Sequence, residues 1–241
     1  MTRFSTLIVA ILVLATSPLL LAIPTYTGSL STPSGIDGTA PWGSDFTIAW
    51  NITDMGTYWC YNYTLTSVTG GALSKKPSHL IIEFSPTADD DSWWDAYLDD
   101  YELTGDLVDF RTFSPSDPGN SNPNMPGPLY GLKMNTPDDF DGIFSYTFCS
   151  DRAPVWGDFY AKDGFYQSGG DYATAWNKDY LAPDPLDPAQ NGLLSDGADG
   201  YIYKILRPDS EGYSEVPEPT TLTLLGLGLL GSGWLARRRR S

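Results

Sequence analysis

Histidine is almost missing from this sequence. Its 241 residues contain one, His79, and only two cysteines, Cys60 and Cys149. A zinc site built on two imidazoles or on four thiolates therefore cannot be assembled within the chain, and the H-E-x-x-H pattern of zinc peptidases lacks its second histidine. Basic residues are scarce as well: 14 Lys and Arg stand against 30 Asp and Glu, a net charge of −16. That balance leaves little scope for a phosphate-neutralising surface, so no nucleic acid is expected as a partner. The sequence also has no Gly-x-Ser-x-Gly serine elbow and no phosphate-binding glycine loop, and its body shows no long helical period. What it does have is rings. Aromatic residues make up 14% of the chain and apolar residues 41%, enough large side chains to argue for a packed core and against disorder.

The two ends read as addresses rather than fold. Residues 1–22 begin with Arg3 and run through an apolar stretch to Leu20-Leu21-Ala22, the pattern of a signal peptide cleaved by signal peptidase after Ala22 or after Ala15. The general secretory machinery is the implied partner there. The apolar run is shorter than the ~20 residues a permanent span needs. At the other end, Val216-Pro217-Glu218-Pro219 precedes an apolar run over residues 220–236, followed by Arg237-Arg238-Arg239-Arg240. Each proline ring fixes its own φ and pushes the preceding residue to extended geometry, so the motif stays out of the following helix and stands as a strand a protease cleft accepts. About 17 helical residues span roughly 25 Å, slightly under a hydrocarbon core of ~30 Å, and arginine stems can snorkel across the difference. Four arginines hold their end of the helix in the cytoplasm and leave the body of the chain across the membrane.

This order of Val216-Pro217-Glu218-Pro219, a glycine-bearing apolar helix and an arginine cluster resembles a PEP-CTERM sorting signal. The resemblance covers residues 215–241. It implies a Gram-negative bacterium, export by the general secretory route and cleavage near Pro217-Glu218-Pro219 by an exosortase, with the body passing to the cell surface or the exopolysaccharide matrix. The competing reading is an ordinary single-pass protein anchored permanently in the same orientation.

Between the addresses, residues 23–214 form the expected extracytoplasmic domain. Without residues 1–22 and 215–241 the chain keeps 192 residues, 28 of them acidic and 9 basic, so the body is more acidic than the whole. Alternation recurs at Phe46, Ile48 and Trp50, at Trp59, Tyr61, Tyr63 and Leu65, at Leu80, Ile82 and Phe84, at Phe144, Tyr146 and Phe148, and at Tyr201, Tyr203 and Ile205. Turn-rich segments separate these runs, and Ser114 to Pro128, with five prolines, reads as a long surface loop. The expected fold is all-β: one antiparallel β-sandwich of roughly eight to ten strands, jelly-roll-like or Ig-like, flanked by the signal peptide and the C-terminal transmembrane sorting helix. One short helix is expected where Trp94, Tyr97, Leu98 and Tyr101 fall at helical spacing. Gly157-Asp158-Phe159-Tyr160 and Gly170-Asp171-Tyr172 are alike by composition and are not read as a repeat.

Candidate functional residues are few. Cys60 and Cys149 lie on predicted strands, each on the less apolar face, which permits a cross-strand disulfide in an exported chain; two separate buried thiols are the alternative. The loop-entropy model assigns about 4.5 kcal/mol to that closure. Asp139 with Asp141 and Asp196 with Asp199 imitate parts of a calcium loop without completing it, leaving Ca²⁺ ligation or solvated turns as the readings, and no other cofactor is expected. Trp42, Trp59, Trp93, Trp94, Trp156 and Trp176 are candidates for stacking on sugar rings, and Trp93-Trp94 is the best pair, because neighbours on a regular strand cannot both face inward. His79 beside an apolar strand reads as structural. The sequence therefore points to a non-enzymatic structural or adhesive protein of the exopolysaccharide or biofilm, with a carbohydrate-binding module as the alternative.

Overall fold

The computed structural model describes residues 25–85, 93–140, 142–164, 172–182 and 203–212. In chain order the strands are β1 (Thr25–Ser31), β2 (Ile36–Gly38), β3 (Thr47–Asp54), β4 (Trp59–Thr66), β5 (Pro77–Glu83), β6 (Trp93–Leu98) and β7 (Tyr101–Leu103). They continue as β8 (Val108–Phe113), β9 (Leu129–Asn135), β10 (Phe144–Ser150), β11 (Arg152–Gly157), β12 (Phe159–Asp163), β13 (Thr174–Asn177) and β14 (Ile205–Gly212). One six-stranded sheet has the order β1-β3-β4-β10-β6-β7, the other β2-β13-β12-β5-β9-β8, and β11 pairs with β14 in a separate ribbon. Every ladder is antiparallel.

The alternating residues make these strands because one side of each is apolar and the other polar. On β4 the odd positions Trp59, Tyr61, Tyr63 and Leu65 are buried, and on β10 the even positions Phe144, Tyr146 and Phe148 are buried. Both sheets contribute to one apolar cluster. Phe148 stacks on Tyr61 at 5.3 Å between ring centroids and meets Phe84, just past β5, at 5.7 Å. Trp50 of β3 sets its edge against Trp156 of β11 at 6.1 Å. Buried tyrosines keep their hydroxyls satisfied, as burial demands: Tyr61 donates to the Arg152 carbonyl at 2.6 Å and Tyr63 to the Leu206 carbonyl at 2.7 Å, which ties β4 to the β11–β14 ribbon.

Four sequence expectations need correction. Residues 93–98 are a strand rather than a helix: Ala96 and Leu98 face the core while Asp95 is exposed, a two-residue period that the helical spacing of Trp94, Tyr97, Leu98 and Tyr101 obscured. The described strands number fourteen, because β2, β7 and β13 are too short to show alternation. Tyr203 sits in a turn with φ of 73°, so the last strand begins only at Ile205; Tyr201 lies outside the described residues. The proline-rich segment 114–128 is not merely a surface loop. It folds onto the outer face of the second sheet, burying Asn122 and Met125 beside Ile81, Phe113, Leu129 and Tyr160, and the Tyr160 hydroxyl donates to the Pro123 carbonyl at 2.6 Å.

Phe148 touches aromatic rings from both sheets, so Phe148→Ala should destabilise the domain by about 3–5 kcal/mol in denaturant unfolding, with the folded state otherwise retained.

Candidate functional site

Cys60 and Cys149 stand directly opposite each other on β4 and β10 and form a disulfide, with Cα atoms 4.0 Å apart and a sequence separation of 89. The bridge lies on the outer face, as the alternation implied. Its neighbours there are Asn62, whose amide donates to Ser145 Oγ at 2.8 Å and to Thr147 Oγ1 at 2.7 Å.

The tryptophan candidates divide. Trp42, Trp59 and Trp156 are buried in the core and cannot present a ring to a sugar. Trp93 is half-buried and packs against the core, and the side chain of Trp94 lies outside the described residues. Trp176 is half-buried on the outer face of the second sheet, against Ile81 and Tyr160. Of the calcium candidates, Asp139 is exposed, and Asp141, Asp196 and Asp199 lie outside the described residues. Among the described residues no group of three or more His, Cys, Asp or Glu is arranged to hold a metal ion.

His79 is buried on the outer face of β5, directly opposite Lys162 of β12. Its Nδ1 lies 3.1 Å from Ser78 Oγ, and its ring is 6.0 Å from that of Tyr160. Burial holds its imidazole well below the ordinary range, and the charges of Lys133 and Lys162 push it further the same way, opposed by the neighbouring Asn122 side chain. Lys162 is itself almost buried, with its ammonium 4.2 Å from the centre of the Tyr172 ring.

The most unusual chemistry sits where β12, β13 and β14 meet. Asp158, in the one-residue step between β11 and β12, is 3% exposed; Asn177, ending β13, is 0% exposed; Lys204, just before β14, is 2% exposed. Lys204 Nζ donates to Asp158 Oδ1 at 2.6 Å, and Asn177 Nδ2 donates to the same oxygen at 2.7 Å. The Leu181 amide donates to Asp158 Oδ2 at 2.9 Å, and Lys204 Nζ also reaches the Ala182 carbonyl at 2.9 Å. Asn177 Oδ1 accepts the Phe159 amide at 3.0 Å. Burial raises the Asp158 carboxyl above the usual carboxylate range, opposed by Lys204, Asn177 and the Leu181 amide. Beside this group, Glu83 accepts the Asp158 amide at 2.6 Å and lies 3.6 Å from the Arg207 guanidinium. Gly157 makes that crowding feasible, since a Cβ there would come within 2.3 Å of Arg207 Nε. Sequence reading missed all three residues. They are separated by long stretches of chain, and the only local signal was an acid wedged between Gly157 and Phe159.

The terminal address lies outside the described residues, and its recognition rests on sequence. Residues 215–240 match the family model of the PEP-CTERM protein-sorting motif. The chain carries a PEP-CTERM sorting signal. That motif implies an exported protein sorted by an exosortase through a membrane-associated C-terminal signal, with a surface location. Among the described residues no helix is long and apolar enough to cross a membrane. No curated protein matches the chain. Among solved structures, the crystal structure of the KRT10-binding region domain of the pneumococcal serine rich repeat protein PsrP aligns with 68% of this chain and 93% of its own, at 12% identity and a TM-score of 0.24. A likeness that slight carries no argument.

Two outcomes follow. Replacing both cysteines by alanine should cost about 2–5 kcal/mol in denaturant unfolding, because the unfolded chain regains the freedom of an 89-residue closure. His79 titrates near 6.5 in the unfolded chain and well below that when folded, so acid favours the unfolded state. Stability contributed by this group is complete well above pH 6.5 and is lost as pH falls through it, with a slope that approaches about 1.4 kcal/mol per pH unit once the unfolded imidazole is protonated, until the folded value is reached. Between pH 6.5 and 5.5 the wild type should lose about 1 kcal/mol more stability than His79→Gln, whose stability curve is the flatter.

Proposed function

We propose that this protein is a non-enzymatic structural or adhesive component of the bacterial surface or its exopolysaccharide matrix. On this reading residues 1–22 are removed on export, residues 23–214 form the extracytoplasmic domain, and residues 220–236 anchor it briefly in the inner membrane before exosortase cleavage near Pro217-Glu218-Pro219 releases it. The observation that carries the proposal is the sorting signal matched at residues 215–240. The two sheets sharing one apolar cluster support a β-sandwich, and passage of the chain from β4 to β5, β6, β9 and β10 between alternate sheets favours the jelly-roll-like form.

The acidic body suits the route. Like charge keeps copies soluble and apart during export, and divalent cations or a polysaccharide then bring them together outside. The alternative of a carbohydrate-binding module has lost three of its six candidate tryptophans to the core.

Mass spectrometry of protein recovered from its native envelope tests the proposal. The expected mature chain starts after Ala15 or Ala22 and ends within or near Pro217-Glu218-Pro219, whereas Glu218→Ala should leave residues 220–241 attached and the protein in the inner-membrane fraction. Wild-type material that keeps those residues throughout its lifetime would replace sorting with permanent anchoring.

A further inference from the structure

The buried Asp158, Asn177 and Lys204 group holds the parts of a reaction as well as of a fold. We propose that Lys204 and Asn177 become joined by an intramolecular amide bond, formed without any other enzyme, with Asp158 carrying the protons. A buried lysine is a nucleophile once it loses its charge, and a side-chain amide is an acylating group once its carbonyl is polarised. Each requirement has an atom in place. The two nitrogens that must exchange at one carbon converge on a single carboxylate oxygen, Lys204 Nζ at 2.6 Å and Asn177 Nδ2 at 2.7 Å. The carbonyl oxygen that would gather negative charge already accepts the Phe159 amide at 3.0 Å.

The step balances within the chain. Asp158 takes a proton from the Lys204 ammonium, and the freed electron pair on Nζ forms a bond to Cγ of Asn177. The resulting tetrahedral carbon places its charge on Oδ1, against the Phe159 amide. The Cγ–Nδ2 bond then breaks. Both protons that Nζ loses end on Nδ2, relayed by Asp158, and the nitrogen departs as ammonium. No oxidant, metal or cofactor is consumed. Desolvation assists, because a carboxyl with 3% exposure holds a proton more readily than one in water. The same exclusion of water protects the tetrahedral carbon from hydrolysis.

An ordinary buried ion pair is the competing account, and the two differ in mass. Burying an unbonded lysine and aspartate costs solvation that the pair only partly recovers, whereas a covalent amide removes the lysine's charge. The product ties the end of β13 to the residue before β14. This inference does not depend on where the protein is sorted or what it binds.

Peptide mapping of the intact, folded protein after denaturation, reduction and trypsin digestion tests it directly. The expected product is a branched peptide that joins residues 163–178 to the fragment beginning at Asp179, one ammonia lighter than the two parts, with no cleavage after Lys204. Lys204→Arg and Asn177→Ala should both release the linear peptides. Asp158→Ala, with its fold checked by circular dichroism, should leave the two residues unlinked, and a folded Asp158→Ala protein still carrying the link would overturn the role given to Asp158. Linear peptides with free Lys204 and Asn177 from the wild type would overturn the whole proposal. A Lys204–Asp158 link one water lighter would equally overturn it, by naming the other acceptor.

Discussion

The pairing of β4 with β10 is the constraint on which the rest of the domain depends. Seven residue pairs run from Phe144 opposite Leu65 to Ser150 opposite Trp59, and every buried ring on one strand faces a buried ring or leucine on the other until the ladder ends. A slip of one residue would turn Trp59, Tyr61, Tyr63 and Leu65 outward and bring Asn62 and Thr64 into the core, so the register has no near alternative. The disulfide fixes the same register covalently from the opposite face, Cys60 against Cys149. From this ladder β3 and β6 extend the sheet on either side, and Phe148 reaches Phe84 near the other sheet.

Much of this was legible in the residues. Period two is the simplest pattern a sequence can display, and the runs at Phe46 to Trp50, Trp59 to Leu65, Leu80 to Phe84 and Phe144 to Phe148 all became strand or its immediate flank. Even the face of the cysteines followed from counting in twos. The misreadings have local causes. At residues 94–101 the aromatic side chains happen to fall at i, i+3, i+4 and i+7, and the decisive positions, Ala96 and Leu98, are small or shared by both patterns. In segment 114–128 the prolines correctly exclude regular structure, but they do not say that Asn122 and Met125 turn inward. A second apolar surface on the outside of the β12–β5–β9 strands, made by Ile81, Tyr160 and Leu129, was hidden because these residues occupy the supposedly polar positions of their strands.

The polar interior was not legible at all. Asp158, Asn177 and Lys204 come from three separate segments, and no spacing rule brings them together. The domain also puts its few cations in unusual places. A chain with a net charge of −16 buries Lys204 against Asp158, Arg207 near Glu83, and Lys162 against a tyrosine ring, while acids such as Asp138, Asp139, Asp99 and Asp100 face solvent. Buried cations thus tie the interior together, and the excess of acids leaves the surface anionic, the condition under which copies repel one another at low salt and lose that repulsion as it is screened.

Native-state hydrogen exchange followed amide by amide tests the central role of the β4–β10 ladder most directly. The account predicts that the slowest amides, those that exchange only through global unfolding, lie on β4, β10 and the adjoining β3, with the short β2 and β7 opening earlier. Amides of β4 and β10 that exchanged through a local opening, while strands of the second sheet stayed protected, would contradict it.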